Sequence, residues 1–104
     1  MTDELQTASV KLVTIIAPIT LRDTIVNDLQ EIGATGYSTV KVDGWGKHGT
    51  RQFGLNDEPN IRIDTLVSSD AARAILARMD ARSVAHGLVA FTLDAEAVPQ
   101  RHFE

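Results

Sequence analysis

Val10-Lys11-Leu12-Val13-Thr14-Ile15-Ile16-Ala17-Pro18 is an apolar, β-branched run closed by a proline, and its reading decides the fold. Branched side chains favour the pleated backbone, and proline lacks the N–H that a strand needs to continue. The run is therefore read as a strand over 10–17. It is apolar on both faces, with Val10, Leu12 and Ile16 opposite Val13, Ile15 and Ala17. A strand buried on both sides in so small a chain implies helices on one side of its sheet and another subunit on the other.

Outward from that strand, Thr20 is placed as a helix N-cap with Asp23 three residues on, and Leu21, Ile25, Leu29 and Ile32 recur at helical spacing. Gly33 is placed to end the helix in a left-handed cap. A second strand over 36–42 sets Val40 and Val42 against Thr39 and Lys41, and a third over 61–67 alternates Ile61, Ile63 and Thr65 with Arg62 and Asp64. Ser68 or Ser69 caps a second helix striped by Ala72, Ile75, Leu76 and Met79. A fourth strand over 87–93 aligns Val89, Phe91 and Leu93. Strand, helix, strand, strand, helix, strand is the α+β, ferredoxin-like βαββαβ pattern, with two helices on one face of a four-stranded antiparallel sheet. Thr39, Lys41, Arg62, Asp64, Leu88, Ala90 and Thr92 are expected on the open face. That mixture is neither a full core nor a solvated surface, and it points to an oligomer.

With 104 residues, 43% apolar and 23% charged, the chain reads as one globular domain. Its longest apolar stretch, 12–19, is too short to span a bilayer and contains Pro18. The first seven residues lack the basic and apolar regions of a signal peptide, so a cytoplasmic protein is expected. The absence of cysteine excludes disulfides, thiolate metal sites and a cysteine nucleophile. A net charge of −4 argues against nucleic acid as a partner. Residues 1–9 and the tail from Pro99 to Glu104 are expected to lie outside the ordered domain, 10–98.

Between the second and third strands, 43–60 is too long for a simple hairpin, and such a loop is usually functional or disordered. It opens Asp43-Gly44-Trp45-Gly46-Lys47-His48-Gly49, placing glycines around the only tryptophan. Glycines let a ligand approach the main chain, and a lysine among them can meet an anion drawn by backbone N–H groups. The same composition suits a plain turn.

At this point the local wording resembles the PII signalling proteins. Gly33-Ala34-Thr35-Gly36-Tyr37-Ser38 is similar to the family's G-x-x-G-[MY]-[ST] before the second strand. Val42 to Gly49 is similar to V-x-G-[FWG]-G-[RK]-x-G, which opens the T-loop, here about 43–60. Ala85-His86-Gly87-Leu88 falls at the end of the B-loop, about 82–88. The resemblance covers about 9–101. It implies a homotrimer with sheets facing the threefold axis, and adenine nucleotides held in clefts between subunits. Carried over by position, Gly36, Tyr37 and Ser38 would border the adenine or ribose. Gly44, Trp45, Gly46 and Lys47 would line the cleft toward the phosphates. Asp64 and Leu66 would contact the base, Ala85, His86, Gly87 and Leu88 would offer backbone N–H groups, and Arg101 would reach phosphate.

The departures narrow what is implied. PII proteins proper have G-D-G-K in the B-loop, and Leu88 stands where the lysine would neutralise the outer phosphates. A charge-assisted contact contributes roughly 1.5–3 kcal/mol, so AMP, ADP or cyclic AMP fits better than ATP. Tyr37 is the only tyrosine and lies in the second strand, so uridylylation of the T-loop is not expected. The shorter, more polar loop is similar to PII-like proteins of carbon metabolism, some found with carboxysomes and bicarbonate transporters. Bicarbonate is then a further ligand, with Lys47 and Arg51 as its candidates. The implied partner is a transporter or carbon-fixation component engaged by the T-loop.

Trp45 reads equally as a partner anchor, a lid over a base, or a side chain tucked against its own subunit. His48, His86 and His102 show no H-x-H or H-x₃-H spacing, so no metal site is expected. Asp64 also suits a cross-strand ion pair with Lys41 or Arg62. No catalytic constellation emerges, and no catalytic residue or cofactor is expected. The rivals are a metal-responsive trimer like the CutA proteins and a small ferredoxin-like enzyme using His86 and Asp64.

Overall fold

The computed structural model describes residues 4–43 and 59–104, together with the backbone of 45–46 and 49–50. The elements are β1 (Ala8–Pro18), α1 (Arg22–Ile32), β2 (Ser38–Val42), β3 (Trp45–Gly46), β4 (Gly49–Thr50), β5 (Asn60–Val67), α2 (Ser69–Arg82) and β6 (Val89–Ala97). One sheet has the order β2-β5-β1-β6, and β3 and β4 form a separate two-stranded ribbon. The four strands pair antiparallel throughout, so the ferredoxin-like expectation stands.

Gly33 takes φ 114 after α1 and donates its N–H to the Gln30 and Leu29 carbonyls, the left-handed close that glycine permits. Ser68 caps α2 by accepting from Ala71 N–H at 3.2 Å. Thr20 is a correction: it lies in a 3₁₀ turn, Ile19–Leu21, and α1 proper begins at Arg22 with no side-chain cap bond. The turn follows because Pro18 ends β1 and the chain must reverse at once, tied by Ile19 N–H to Pro59 O at 3.0 Å.

The core lies between the sheet and the helices. Val13, Ile15, Ala17, Ile61, Ile63 and Val67 meet Ile25, Leu29, Ala72, Ile75 and Met79 in one cluster. Beside it, Asp28 is only 2% exposed. Arg78 donates to its Oδ1 at 2.7 Å and Arg82 at 2.8 Å, with Arg82 Nε on Oδ2. Burial pushes the Asp28 carboxyl up, but the bonds and charges of Arg82 and Arg78 outweigh it and hold the carboxyl below its ordinary value.

The register corrects the expected open face. Thr39 pairs with Ile63 and Lys41 with Ile61, so both lie on the helix side. Ala90 pairs with Ile15 and Thr92 with Val13, which places them there too. Leu88 packs against the core. Arg62 and Asp64 do face outward, pairing with Ile16 and Thr14 of β1. They are joined there by Val40, Leu66, Val89, Phe91 and Leu93. The cause is the pairing, which aligns Ser38 with Asp64 and Phe91 with Thr14. The open face is thus more apolar than expected: Leu93 is 58% exposed, Val40 54% and Phe91 40%.

The C-terminal tail is a third correction. Gln100–Phe103 forms a 3₁₀ turn. Gln100 Nε2 donates to Thr7 O at 3.1 Å, and Thr7 Oγ1 donates to Glu96 at 3.0 Å, so the tail is tied to the residue before β1 and that residue to β6.

Candidate functional site

A groove of about 460 Å³ opens where β2 begins. Gly36, Tyr37 and Ser38 form one side, Asp64, Thr65 and Leu66 of β5 another, and Leu12, Thr35, His102 and Phe103 complete it. That volume lies in the range of small-molecule sites. Five residues expected at a nucleotide, Gly36, Tyr37, Ser38, Asp64 and Leu66, share this one groove.

Local bonds position them. Thr65 Oγ1 donates to Gly36 O at 2.6 Å and pins the approach to β2. Asp64 accepts from Thr14 Oγ1 at 2.7 Å and from Arg62 Nε at 3.0 and 3.2 Å. Its partner is therefore Arg62 and not Lys41, which lies across the sheet. The Arg22 guanidinium stands 6.0 Å from the Tyr37 ring centroid.

Gly36 stands out for what its own fold leaves unused. A Cβ there would meet nothing within 4 Å, and its φ is not in the left-handed range. Neither packing nor backbone strain in this chain requires glycine. Close approach of a ligand or a second chain would.

The remaining expected residues are elsewhere. Ala85, His86, Gly87 and Leu88 join α2 to β6, beyond the opposite edge of the sheet from β2. Three strand spacings at about 4.8 Å separate the two edge strands by roughly 14 Å. The N–H groups of Ala85 and His86 both donate to Arg82 O at 3.2 Å, and Leu88 N–H donates to His86 O at 3.0 Å. To hold an anion, this turn would have to release those bonds. The Leu88 side chain is partly buried and packs against the core.

Arg101 is exposed on the C-terminal turn, outside the lining of the groove that its neighbours His102 and Phe103 join. Gly44, Lys47 and Arg51 lie outside the described residues, as does His48. Trp45 and Gly46 are seen only as backbone paired to Thr50 and Gly49. At the foot of this loop Asn60 is buried, and its Oδ1 has no hydrogen-bond partner among the described residues. Such an acceptor is costly to leave unmet, and a donor arriving there would relieve it.

Phe103, His102 and Leu12 were not among the expected site residues. The available signal was Phe103 itself, an apolar ring in an otherwise polar tail. The groove is also chemically lopsided. Among the described residues it has one carboxylate, one histidine, two aromatic rings and two leucines, and neither lysine nor arginine. It suits a neutral, flat, partly apolar group better than a phosphate.

The family model of the nitrogen regulatory protein P-II matches residues 10–100. A PII-like signalling protein from Thermus thermophilus is similar in structure, with 28% identity and a TM-score of 0.80, covering 96% of this chain and 100% of its own. CPII from Thiomonas intermedia, a nitrogen regulatory PII-like protein solved with ADP and bicarbonate, has 24% identity and a TM-score of 0.84 over 97% of this chain and 100% of its own. The same protein solved with ADP, AMP and bicarbonate has 23% identity and a TM-score of 0.80, covering 90% of this chain and 92% of its own. No curated protein sequence matches the chain.

Proposed function

Because this chain belongs to the nitrogen regulatory protein P-II family, we propose that it is a non-enzymatic signalling protein that senses adenine nucleotides at clefts between the subunits of a homotrimer. The observation that carries the proposal is the separation of two half-sites. The groove at β2 has the size and polarity for an adenine, and no lysine or arginine among the described residues lines it. The glycine-rich start of the T-loop, with Lys47, and the turn at 85–88 are the candidate phosphate side. The turn at 85–88 lies beyond the other edge strand, so one chain does not bring it to the groove. A neighbouring copy docked on the open face would. Leu12, Leu66, Val89, Phe91 and Leu93 supply the apolar surface for such docking. The ligands in the similar CPII structures, ADP and AMP, support this reading.

Leu88 sharpens the ligand class. Apolar and packed against the core, it offers no charge to an outer phosphate, so AMP and ADP are preferred over ATP. Cyclic AMP fits the same groove. Bicarbonate is proposed beside the phosphates, with Lys47 and Arg51 as its cations, in keeping with the CPII ligands. Nucleotide occupancy then biases the T-loop between two states, by its differential affinity for them, and the loop engages a transporter or carbon-fixation component. No helix among the described residues is long and apolar enough to cross a membrane. A cytoplasmic, carboxysome-associated setting accords with the proposed role.

Isothermal titration of AMP, ADP, cyclic AMP and ATP tests the reading. Binding of AMP and ADP at least tenfold tighter than ATP is the expected result. No heat with any adenylate would overturn it.

A further inference from the structure

We propose that Asp28, acting through Arg82, is a positioning residue for the turn between α2 and β6. The pair holds that turn in its self-bonded form and so sets how readily its N–H groups reach a phosphate. The phosphate role rests on the turn at 85–88 being the phosphate side of the proposed nucleotide site.

Arg82 is the last residue of α2, and it is held from two directions. Its side chain reaches across to α1, where Nη2 donates to Asp28 Oδ1 at 2.8 Å and Nε donates to Oδ2. Its carbonyl accepts from Ala85 N–H and His86 N–H, both at 3.2 Å. A two-pronged guanidinium–carboxylate pair fixes direction as well as distance. Asp28 is itself well seated, being 2% exposed and accepting also from Arg78 at 2.7 Å. One residue thus ties the middle of α1 to the N–H groups of the turn.

The two helices end differently. Gly33 closes α1 in the left-handed conformation, a cap supplied by its own backbone. No residue from 83 to 88 takes a positive φ, so α2 has no such close. Ser83 Oγ donates to Asp80 O at 2.6 Å and Ser83 N–H to Met79 O at 2.9 Å, but those bonds return to α2 itself. Val84 is 89% exposed, so packing contributes little there. The Arg82–Asp28 pair joins this helix end to another element. An N–H that donates to Arg82 O is withheld from an anion, so apparent phosphate affinity falls with the fraction of molecules whose turn is open.

Hydrogen exchange of backbone amides, read by two-dimensional NMR on the full chain, tests the hold on the turn. In Arg82→Gln and in Asp28→Asn, the Ala85 and His86 amides should exchange about 5- to 50-fold faster than in the wild type. Arg78→Gln is the control: it removes a different partner of Asp28 and should move those two amides by less than about 2-fold. A general loss of stability would instead speed core amides such as Ile15 and Ile63 and leave locally opening turn amides as they were. Melting curves confirm that each variant is folded. Unchanged Ala85 and His86 rates in Arg82→Gln overturn the proposal, as does equal acceleration in Arg78→Gln. Titration of ADP and of adenosine tests the consequence for phosphate. Arg82→Gln and Asp28→Asn should each bind ADP at least about 3-fold tighter relative to adenosine. These two substitutions change net charge in opposite directions, so a shared gain is not a charge effect. An ADP affinity that gains nothing from a loosened turn overturns the phosphate role. A wild type that binds no ADP overturns the nucleotide reading, and the exchange rates still decide the hold of Asp28 on the turn.

Discussion

The two faces of the sheet use the same strands and have opposite fates. Toward the helices, Val13, Ile15, Ile63, Ile25, Leu29 and Ile75 have no solvent exposure. Away from them, Val40, Leu66, Val89, Phe91 and Leu93 remain exposed, with Thr14, Asp64 and Arg62 as a polar island. The first face completes the protomer and the second leaves it unfinished. The contrast teaches that stability and assembly are separable in this chain, because few side chains serve both.

The largest expected effect tests the finished face. Ile15→Ala or Ile63→Ala removes fully buried volume and should cost about 2–5 kcal/mol in denaturant melts. On the other face, Leu93→Asp buries nothing new in the protomer but sets charge where copies are proposed to meet. It should weaken self-association at least about 100-fold, near 2.7 kcal/mol, with unchanged far-ultraviolet circular dichroism. Sedimentation equilibrium measures it, and a folded variant that still assembles like the wild type would collapse the contrast.

Smaller effects follow beside the core and at the groove. Asp28→Ala should cost about 1–3 kcal/mol, less than a fully enclosed pair, because Arg78 and Arg82 are about one-third exposed and can turn to solvent. The lowered Asp28 carboxyl sets the sign with pH. Its contribution is present above the unfolded-state value, near pH 4, and is lost as pH falls through the lower folded value. The gap between wild type and variant should therefore narrow in acid melts below about pH 4. The smallest stability change is expected for Gly36→Ala. With nothing within 4 Å of the new Cβ, the protomer should be unchanged or gain about 0.4–1 kcal/mol, while ADP affinity falls.

Much of this was legible in the chain, and particular residues show why. Gly33 and Ser68 mark helix ends through their own backbone chemistry, so they read correctly without tertiary knowledge. The apolar doubling of β1 was read as a sign of a covered open face, and the structure adds that β1 is an inner strand, between β5 and β6. Thr39, Lys41, Ala90 and Thr92 were misplaced because alternation separates two faces without saying which one meets the helices. That choice is made by pairing, and only the alignment of Ser38 with Asp64 and of Phe91 with Thr14 settles it. At the candidate site, Gly36, Tyr37 and Ser38 could be located through their motif. Phe103 could not, because no local pattern links a tail residue to Leu12 and Leu66, 91 and 37 positions earlier in the chain. The B-loop was legible as a segment, but the turn bonds that occupy its N–H groups depend on atomic placement.

Sedimentation velocity with ADP, tracked at the nucleotide's own absorbance, decides whether the site is shared between copies. Wild-type protein should run as a trimer carrying nucleotide, and the Leu93→Asp protomer should run alone and leave ADP unsedimented. A folded monomer that carries ADP with wild-type affinity would contradict a cleft built from two chains.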